Sequence, residues 1–278
     1  MTAGWYRDEP DPEVPEEELL GRPRDRKIDE AKAGLLDFFA AQPDRVFYSR
    51  QLAVLHEREF FHWITTRALG ELVKEGQIGS TLMELRPGLV VRFCWAKKNR
   101  YWKRSAQKVA ALIEQYADDK VGSALGNHGE LMIDAALPKA GFIPSGEDVR
   151  EYGGLKWEET EHDLDRVFER DGVAYGTEIK NTLDYIERDE LEIKLRMCEE
   201  LQLVPLFIVR FAPKSYIERV RRAGGFSLLF EYQMYPPGYE ELAKRLKDEL
   251  DLKVGWPSKV AAGTVQRLLN WHEGQLGA

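Results

Sequence analysis

The segment HDLDRVFERDGVAYGTEIKN, residues 162–181, constrains the fold more than any other stretch of this chain. Asp171-Gly172 at its centre is the strongest short-range signal for a β-hairpin, with a two-residue type I′ loop between two strands. Such a loop sets the register of both arms, so Arg170 is expected opposite Val173. The sequence therefore predicts an antiparallel pair of strands whose facing residues can be read outward from the turn.

The predicted register brings carboxylates together. Counting outward from the turn, Asp165 faces Glu178. Two residues further out, Asp163 faces Lys180, and because side chains alternate along a strand these four residues share one face. The other face is expected to carry Leu164, Phe168 and Ile179. Opposed carboxylates have Cβ atoms about 5 Å apart, which is unfavourable unless a cation neutralises them or one is protonated. Two hard oxygen donors beside a lysine suit Mg²⁺ or Mn²⁺, and there is no Cys/His cluster for zinc.

The Glu-x-Lys tripeptide is a weak signal by itself. It occurs three times, as Glu30-Ala-Lys32, Glu178-Ile-Lys180 and Glu192-Ile-Lys194. The first and third lie in segments with helical periodicity, where they are expected to be ordinary surface charge pairs. The middle one ends a predicted strand and has Asp165 across the ladder, and this context makes it specific.

These residues resemble the PD-(D/E)XK nuclease superfamily, which has the restriction-endonuclease-like fold. The core of that fold runs helix, three strands, helix, strand, and residues from about 127 to 211 are similar to it. Asp165 matches the Asp of the family, and Glu178-Ile-Lys180 matches its Glu-x-Lys. The first core helix supplies Glu130, with a spacing similar to that of archaeal-type Holliday junction resolvases. The acidic segment 144–161 departs from the pattern and leaves the place of the first strand open.

The resemblance implies metal-dependent hydrolysis of phosphodiester bonds with Mg²⁺ or Mn²⁺ as cofactor. Asp165, Glu178 and the backbone carbonyl of Ile179 would hold the metal. Glu130 would bind a second ion or its water, and Lys180 would orient the attacking water or stabilise the developing charge.

Other polar residues near this set have plainer interpretations. Asp163 is expected to form a cross-strand salt bridge to Lys180 rather than to bind metal. His128 and His162 are expected to be hydrogen-bonded structural or surface histidines, and Glu190 is expected on a solvated helix face.

The pattern from 25 to 95 is three helices followed by a hairpin, which resembles a winged-helix domain. Its third helix would offer His62, Thr65, Thr66 and Arg67 to a DNA major groove. The alternative is a winged helix used for protein contacts alone.

A basic stripe follows, from Arg86 to Arg104, with seven Lys or Arg, no acid, and interleaved Trp95, Tyr101 and Trp102. A basic stripe with aromatics can follow a phosphate backbone. The expected DNA contacts in it are Arg92, Lys97, Lys98, Arg100, Lys103 and Arg104. The alternative is a solvated linker.

The expected fold class is α/β: a restriction-endonuclease-like mixed sheet flanked by helices, preceded by an α+β winged-helix domain. We predict an acidic flexible tail at 1–24, a winged-helix DNA-binding domain with its basic linker at 25–104, and a nuclease-like domain at 105–278. The net charge of −8 is concentrated in residues 1–20, which carry seven acids against one Arg.

The expected function is a Mg²⁺/Mn²⁺-dependent DNA endonuclease with a role in restriction, repair, mobile elements or defence, with DNA as partner and a homodimer left open. The alternative is a non-catalytic DNA-binding protein that uses the nuclease fold for dimerisation or as a scaffold. No apolar run is long enough to span a bilayer and no signal peptide is visible, so a cytoplasmic protein without a membrane partner is expected.

Overall fold

The computed structural model describes residues 26–276, so the predicted acidic tail lies outside the described residues. The chain divides into two compact units. The first runs up to Ser123 and includes Glu241–Leu252, and the second contains Ala124–Glu240 and the residues from Lys253 onward. The predicted boundary between residues 104 and 105 therefore lies inside the first unit.

The described helices and strands are numbered in chain order. The first half contains α1 (Arg26–Ala41), β1 (Val46–Tyr48), α2 (Ser49–His56), α3 (His62–Lys74), β2 (Ile78–Arg86), β3 (Leu89–Ala96), α4 (Trp102–Tyr116) and α5 (Asp119–Ala136). The second half contains β4 (Ile143–Val149), β5 (Glu151–Tyr152), β6 (Leu155–Lys156), β7 (Leu164–Arg170), β8 (Val173–Lys180), α6 (Arg188–Glu200), β9 (Val204–Val209), α7 (Lys214–Arg222), β10 (Phe226–Leu229), β11 (Gln233–Met234), α8 (Glu240–Leu250), β12 (Val254–Gly255) and α9 (Ala262–Leu276).

The first unit has the predicted order of three helices and a hairpin, with one extra strand. Helices α1, α2 and α3 precede the β2–β3 hairpin, and β1 pairs antiparallel with β3, giving the sheet order β1-β3-β2. The helices bury apolar stripes that include Leu35, Ile64 and Leu72. Helix α4 contacts β1 and β2 and buries Ala106 and Ile113, which explains why the first unit extends beyond the basic stripe.

Polar contacts hold Glu241–Leu252, which is most of α8 and the two residues after it, in the first unit. Arg45 Nη1 lies 2.6 Å from Asp251 Oδ2, and Gln51 Nε2 donates a 2.7 Å hydrogen bond to the Leu250 carbonyl. Helix α8 also buries Ala243 and Leu246. A short stretch far along the chain therefore completes a unit formed mainly by the N-terminal half.

The second unit is built on a mixed sheet flanked by helices. Its described strands follow the order β10-β9-β8-β7-β4, in which β4, β7 and β8 pair antiparallel while β8, β9 and β10 pair parallel. The first strand, whose place the sequence left open, is β4, and it takes up the start of the acidic segment. The two-residue strands β5 and β6 form a small separate hairpin after it.

The central hairpin has the predicted turn and register. Asp171 and Gly172 have φ values of 51° and 78°, as a type I′ loop requires, and Arg170 pairs with Val173. The regular ladder continues to the pair Arg166–Thr177. The pairing of β7 and β8 is therefore set by the local turn.

Two apolar layers cover the two faces of this sheet. On one face, α5 packs against β7 and β8 in a cluster that includes Ile133, Phe168 and Ile179. On the other face, Cys198 of α6 packs in a cluster with Val167 and Leu164 of β7.

The place of Leu164 corrects the prediction that it shares a face with Phe168 and Ile179. Regular pairing of β7 and β8 ends before it, and Gly176 leaves room for its side chain. A Cβ atom on Gly176 would lie 2.9 Å from Leu164 Cδ1 and 2.8 Å from Cys198 Sγ.

Candidate active site

The hairpin brings Asp165 and Glu178 together beyond the end of the regular ladder. Asp165 Oδ2 accepts a 2.6 Å hydrogen bond from the Ile179 backbone N–H, which holds the carboxylate against β8. Burial and the adjacent charge of Glu178 raise the pKa of Asp165 from 3.8 to about 7. A raised carboxyl pKa next to a second acid indicates two like charges in a poorly solvated place.

Glu178 is enclosed, with only 1% of its surface exposed. Its Oε1 lies 3.0 Å from Lys180 Nζ, and its Oε2 lies 2.6 Å from Lys194 Nζ. Lys194 comes from α6 and also donates a hydrogen bond to the Asp163 carbonyl. The carboxylate of Glu178 is therefore held between two ammonium groups that approach from different elements.

Lys180 joins this cluster from the end of β8 and remains about one third exposed at its side chain. Its Nζ is also 2.9 Å from Glu190 Oε1. Burial works to lower the pKa of Lys180, but the carboxylates of Glu178 and Glu190 outweigh it and raise that pKa above its usual value. Lys180 is therefore a protonated, partly accessible cation beside two acids.

Two predictions about neighbouring acids are wrong. Glu190 was expected on a solvated helix face but binds Lys180, because the first turn of α6 passes next to the end of β8. Asp163 was expected to bind Lys180, but its Oδ1 lies 3.9 Å from Lys194 Nζ. Both differences follow from the docking of α6, which hairpin register alone does not determine.

Lys194 is the site residue that sequence reasoning missed. Glu192-Ile-Lys194 was expected to be a surface charge pair, and Glu192 does pair with Arg219, but Lys194 is only 3% exposed. The signal was present in the helical spacing. Lys194 falls on the inward stripe with Leu191, Leu195 and Cys198. A lysine at such a position is rarely buried without a partner, so the spacing indicates that an acid lies opposite it.

Glu130 does not join the pair formed by Asp165 and Glu178. Its Oε2 lies 3.0 Å from Arg166 Nη2, and Arg166 also binds the carboxylates of Asp134 and Glu147. Burial raises the pKa of Glu130 and Arg166 opposes that rise.

The predicted role of Glu130 at a metal or its water is therefore not supported. The physical reason is alternation along β7, because α5 covers the sheet face opposite to the one on which Lys194 meets Glu178. Arg166, which the sequence reasoning also passed over, links the two sides, since its Nη1 donates a 2.6 Å hydrogen bond to the Asp165 carbonyl.

The donor set fits a hard divalent cation through two carboxylates. Within residues 26–276, no group of three or more His, Cys, Asp or Glu side chains is arranged to hold a metal. Mg²⁺ is commonly bound by one or two carboxylates and keeps several waters, so Asp165 and Glu178 are sufficient donors. The raised pKa of Asp165 is the observation that favours a cation here.

Of the two histidines near the site, His162 has the hydrogen-bonded surroundings expected of it, whereas the buried Nε2 of His128 has no hydrogen-bond partner among the described residues. His162 Nδ1 lies 2.9 Å from Thr160 Oγ1. Burial lowers the pKa of His128, which favours its neutral form.

The four residues of α3 that were predicted to contact the DNA major groove differ in their exposure. Thr65 has no exposed surface and His62 is buried, so these two face the core and cannot contact a ligand. Thr66 and Arg67 are half-buried, and Arg67 Nε lies 3.6 Å from Glu71 Oε1. The error arises because the buried stripe of α3 includes His62 and Thr65 as well as apolar residues such as Ile64 and Leu72.

The basic stripe is an ordered surface of the first unit. The Trp102 ring, at the start of α4, stacks on the Trp95 ring with centroids 4.0 Å apart and planes 8° apart. Arg92 is half-buried on β3, and Lys97 donates a 2.7 Å hydrogen bond to the Gly76 carbonyl. The remaining predicted contacts are exposed: Lys98, Arg100, Lys103 and Arg104. This geometry disfavours the alternative of a solvated linker.

Comparison with protein-family models, with curated proteins and with solved structures found no match for this chain. None of the helices between residues 26 and 276 combines the length and the apolar character needed to cross a membrane. Function must therefore be inferred from the site itself.

Proposed function

We propose that this protein is a metal-dependent DNA endonuclease with a restriction-endonuclease-like domain and an N-terminal winged-helix domain. The observation that carries the proposal is the pair of Asp165 and Glu178 at the end of the central hairpin. The carboxyl of Asp165 has its pKa raised to about 7 by burial and by the charge of Glu178, and Lys180 lies beside them. A carboxyl with a strongly raised pKa beside a second acid and a lysine favours a functional site over a structural one.

The order of elements supports the fold assignments. Apart from the small hairpin of β5 and β6, the second unit follows the order of the nuclease core, which is helix, three strands, helix, strand: α5, then β4, β7 and β8, then α6 and β9. In the first unit, the order α1, β1, α2, α3, β2, β3 is compatible with a winged helix. Because one fold can serve many functions, the nuclease proposal depends on the residues of the site.

The acids and the lysine of the site would have different roles. Asp165 and Glu178 would hold the ion, with the Ile179 carbonyl as a further candidate ligand. When bound, the divalent ion supplies Lewis acidity toward the phosphate and lowers the pKa of a bound water. Lys180 is the accessible cation, so it would orient the attacking water and offset charge that develops on the phosphate oxygens.

Two further cations position the acids. Lys194 is buried, so it would fix the orientation of Glu178 rather than touch DNA. Arg166 donates to the Asp165 carbonyl and is itself held by Glu130. We therefore assign Glu130 a positioning role that acts through Arg166.

One observation favours the alternative of a non-catalytic DNA-binding scaffold. Both oxygens of Glu178 already have ammonium partners, Lys180 and Lys194, so this carboxylate is charge-balanced without a metal. Such a buried network can be purely structural.

Cleavage of a DNA panel separates the two interpretations. The panel is supercoiled, linear, single-stranded, flap and four-way-junction DNA, each with Mg²⁺, Mn²⁺ or EDTA. The nuclease proposal expects cleavage with metal, none in EDTA, and loss of cleavage in Lys180→Ala with DNA affinity nearly unchanged, because one lysine is a small part of the phosphate contacts. Absence of cleavage by the wild type on every substrate would favour the scaffold. Cleavage that survives Lys180→Ala would exclude this site as its source.

A further inference from the structure

We propose that Tyr101 and the cations beside it form a binding site for single-stranded DNA, with the Tyr101 ring as a stacking platform for an unpaired base. This inference deepens the proposed function and rests on it for the choice of DNA. We call Tyr101 together with Lys98, Arg100, Lys103 and Arg104 the Tyr101 platform.

The Tyr101 ring is exposed on a firmly held backbone. Eighty percent of its surface is accessible, although Asn99 and Trp102 are anchored close to it in the chain. Asn99 is buried, accepts a 3.0 Å hydrogen bond from the Tyr101 backbone N–H, and donates to the Arg45 carbonyl. A large ring presented by a rigid turn loses little conformational freedom when a base stacks on it.

The residue after Tyr101 adds a second anchor. Trp102 stacks on Trp95, which is itself buried against Gly79, where a Cβ atom would lie 2.2 Å from Trp95 Nε1. Gly79 therefore makes room for the inner ring of the stack. Tyr101, one position earlier in the chain, is exposed to solvent.

The cations of the platform are available to a ligand. Among the residues that the structure describes, none forms an ion pair with Lys98, Arg100, Lys103 or Arg104, and the Lys103 ammonium lies 5.6 Å from the Trp102 ring centroid. Four available cations within three residues of one exposed ring combine the two features that single-strand binding uses, positive charge for the backbone and an aromatic face for a base.

The exposed Tyr101 ring favours single-stranded DNA over duplex DNA as the ligand. A duplex covers the faces of its bases by stacking them on one another, and it offers its phosphates to cations without requiring an aromatic ring. A single strand leaves base faces free, and each base that stacks on an aromatic side chain contributes about 1–3 kcal/mol. Tyr101 therefore adds affinity for unpaired DNA that the four cations alone do not provide.

The test measures binding in EDTA, so that cleavage does not interfere. The probes are a labelled thymidine oligonucleotide, a blunt duplex of the same length and a uridine oligonucleotide. Tyr101→Leu is expected to weaken binding of the thymidine strand roughly 5- to 150-fold, by conversion of the stacking contribution, and duplex binding less than about twofold. Tyr101→Phe keeps the ring and is expected to restore single-strand affinity.

The matched control is Trp256→Leu, since Trp256 is the other exposed large aromatic side chain between residues 26 and 276, and no change is expected. An equal loss on duplex and single strand, no loss at all, or failure of Tyr101→Phe to restore binding would overturn the platform. Tighter binding of the uridine strand would overturn the assignment to DNA. Because no step requires hydrolysis, an inactive enzyme with this selective loss refutes the nuclease proposal alone.

Discussion

The Oε2 atom of Glu178 lies 2.6 Å from the Nζ atom of Lys194, and both side chains are almost completely shielded from water. Removal of one partner from such a pair leaves a buried charge without its counter-ion, which typically costs about 3–5 kcal/mol. Glu178 keeps Lys180 as a second partner, so the lower end of that range applies here.

The first prediction concerns this pair. Lys194→Met should lower the free energy of unfolding by about 3 kcal/mol in urea titrations, while the exposed helical control Lys108→Met should change it by less than about 0.5 kcal/mol. Adding Glu178→Gln to Lys194→Met should recover part of the loss, because the stranded charge is removed. Strictly additive effects of the two substitutions would show that the contact carries no coupling.

The second prediction concerns the metal. If a divalent ion binds Asp165 and Glu178 in the folded state, Mn²⁺ should raise Tm, with a stabilisation of about 2.7 kcal/mol when the ion is at one hundred times its Kd. Asp165→Asn should shrink that response, and Asp119→Asn, at an exposed site outside the cluster, should not. Equal metal-induced increases in Tm in the wild type and both variants would show that the ion does not bind at Asp165 and Glu178.

The third prediction is a pH dependence in metal-free protein. The unfolded chain loses the Asp165 proton near pH 4, whereas the folded protein holds it up to about pH 7. The stability contributed by the protonated carboxyl is therefore fully present below about pH 4 and is lost as the pH rises through 7.

Asparagine at position 165 cannot ionise. The free energy of unfolding of Asp165→Asn, relative to that of the wild type, should therefore increase as the pH rises from about 4 to about 7. The gain should approach a few kcal/mol, at about 1.4 kcal/mol per pH unit, in denaturant titrations at fixed ionic strength. A stability difference that stays constant from pH 4 to pH 8 would mean that Asp165 is not held in the environment described above.

The fourth prediction tests how closely α5 approaches the end of β8. A Cβ atom on Gly129 would lie 2.6 Å from the Cβ of Asn181. Asn181 has little freedom to move, since its Nδ2 donates to the carbonyls of Leu125 and Met234 at 2.8 and 2.7 Å.

Gly129→Ala should therefore destabilise the protein by about 1–3 kcal/mol. Gly126→Ala, one helical turn earlier, meets nothing within 4 Å and should stabilise it by about 0.5–1 kcal/mol through helix propensity. Thermal unfolding of both variants measures this contrast, and the same sign at both positions would contradict the close approach.

The fifth prediction concerns duplex DNA and salt. Triple substitution of Lys98, Arg100 and Arg104 by Ala should reduce the slope of log K against log salt by about 0.9 for each phosphate that is no longer neutralised. The control removes two exposed lysines of the second unit, Lys139 and Lys214. Fluorescence anisotropy across a salt series measures the slopes, and an unchanged slope in the triple variant would exclude these residues from the DNA interface.

Part of the candidate site could be predicted from the chain because it depends on local structure. The loop at Asp171-Gly172 imposes positive φ at two successive residues, and the pairing from Arg170–Val173 to Arg166–Thr177 follows from it. The neighbourhood of Asp165 and Glu178 is a consequence of that register. The helical and strand periodicities likewise predicted the main elements, since each buries one stripe or one face.

The partners of these carboxylates were decided by tertiary structure. Lys194 and Glu190 meet the hairpin only because α6 docks on one face of the sheet, and Glu130 meets Arg166 because α5 docks on the other. Hydrophobic burial sets those docking geometries between residues far apart in the chain, and it is not directional, so the pattern of a single helix does not identify its partner. The sequence thus determined the elements and the hairpin register by local backbone preferences, whereas long-range packing decided which charges share the buried site.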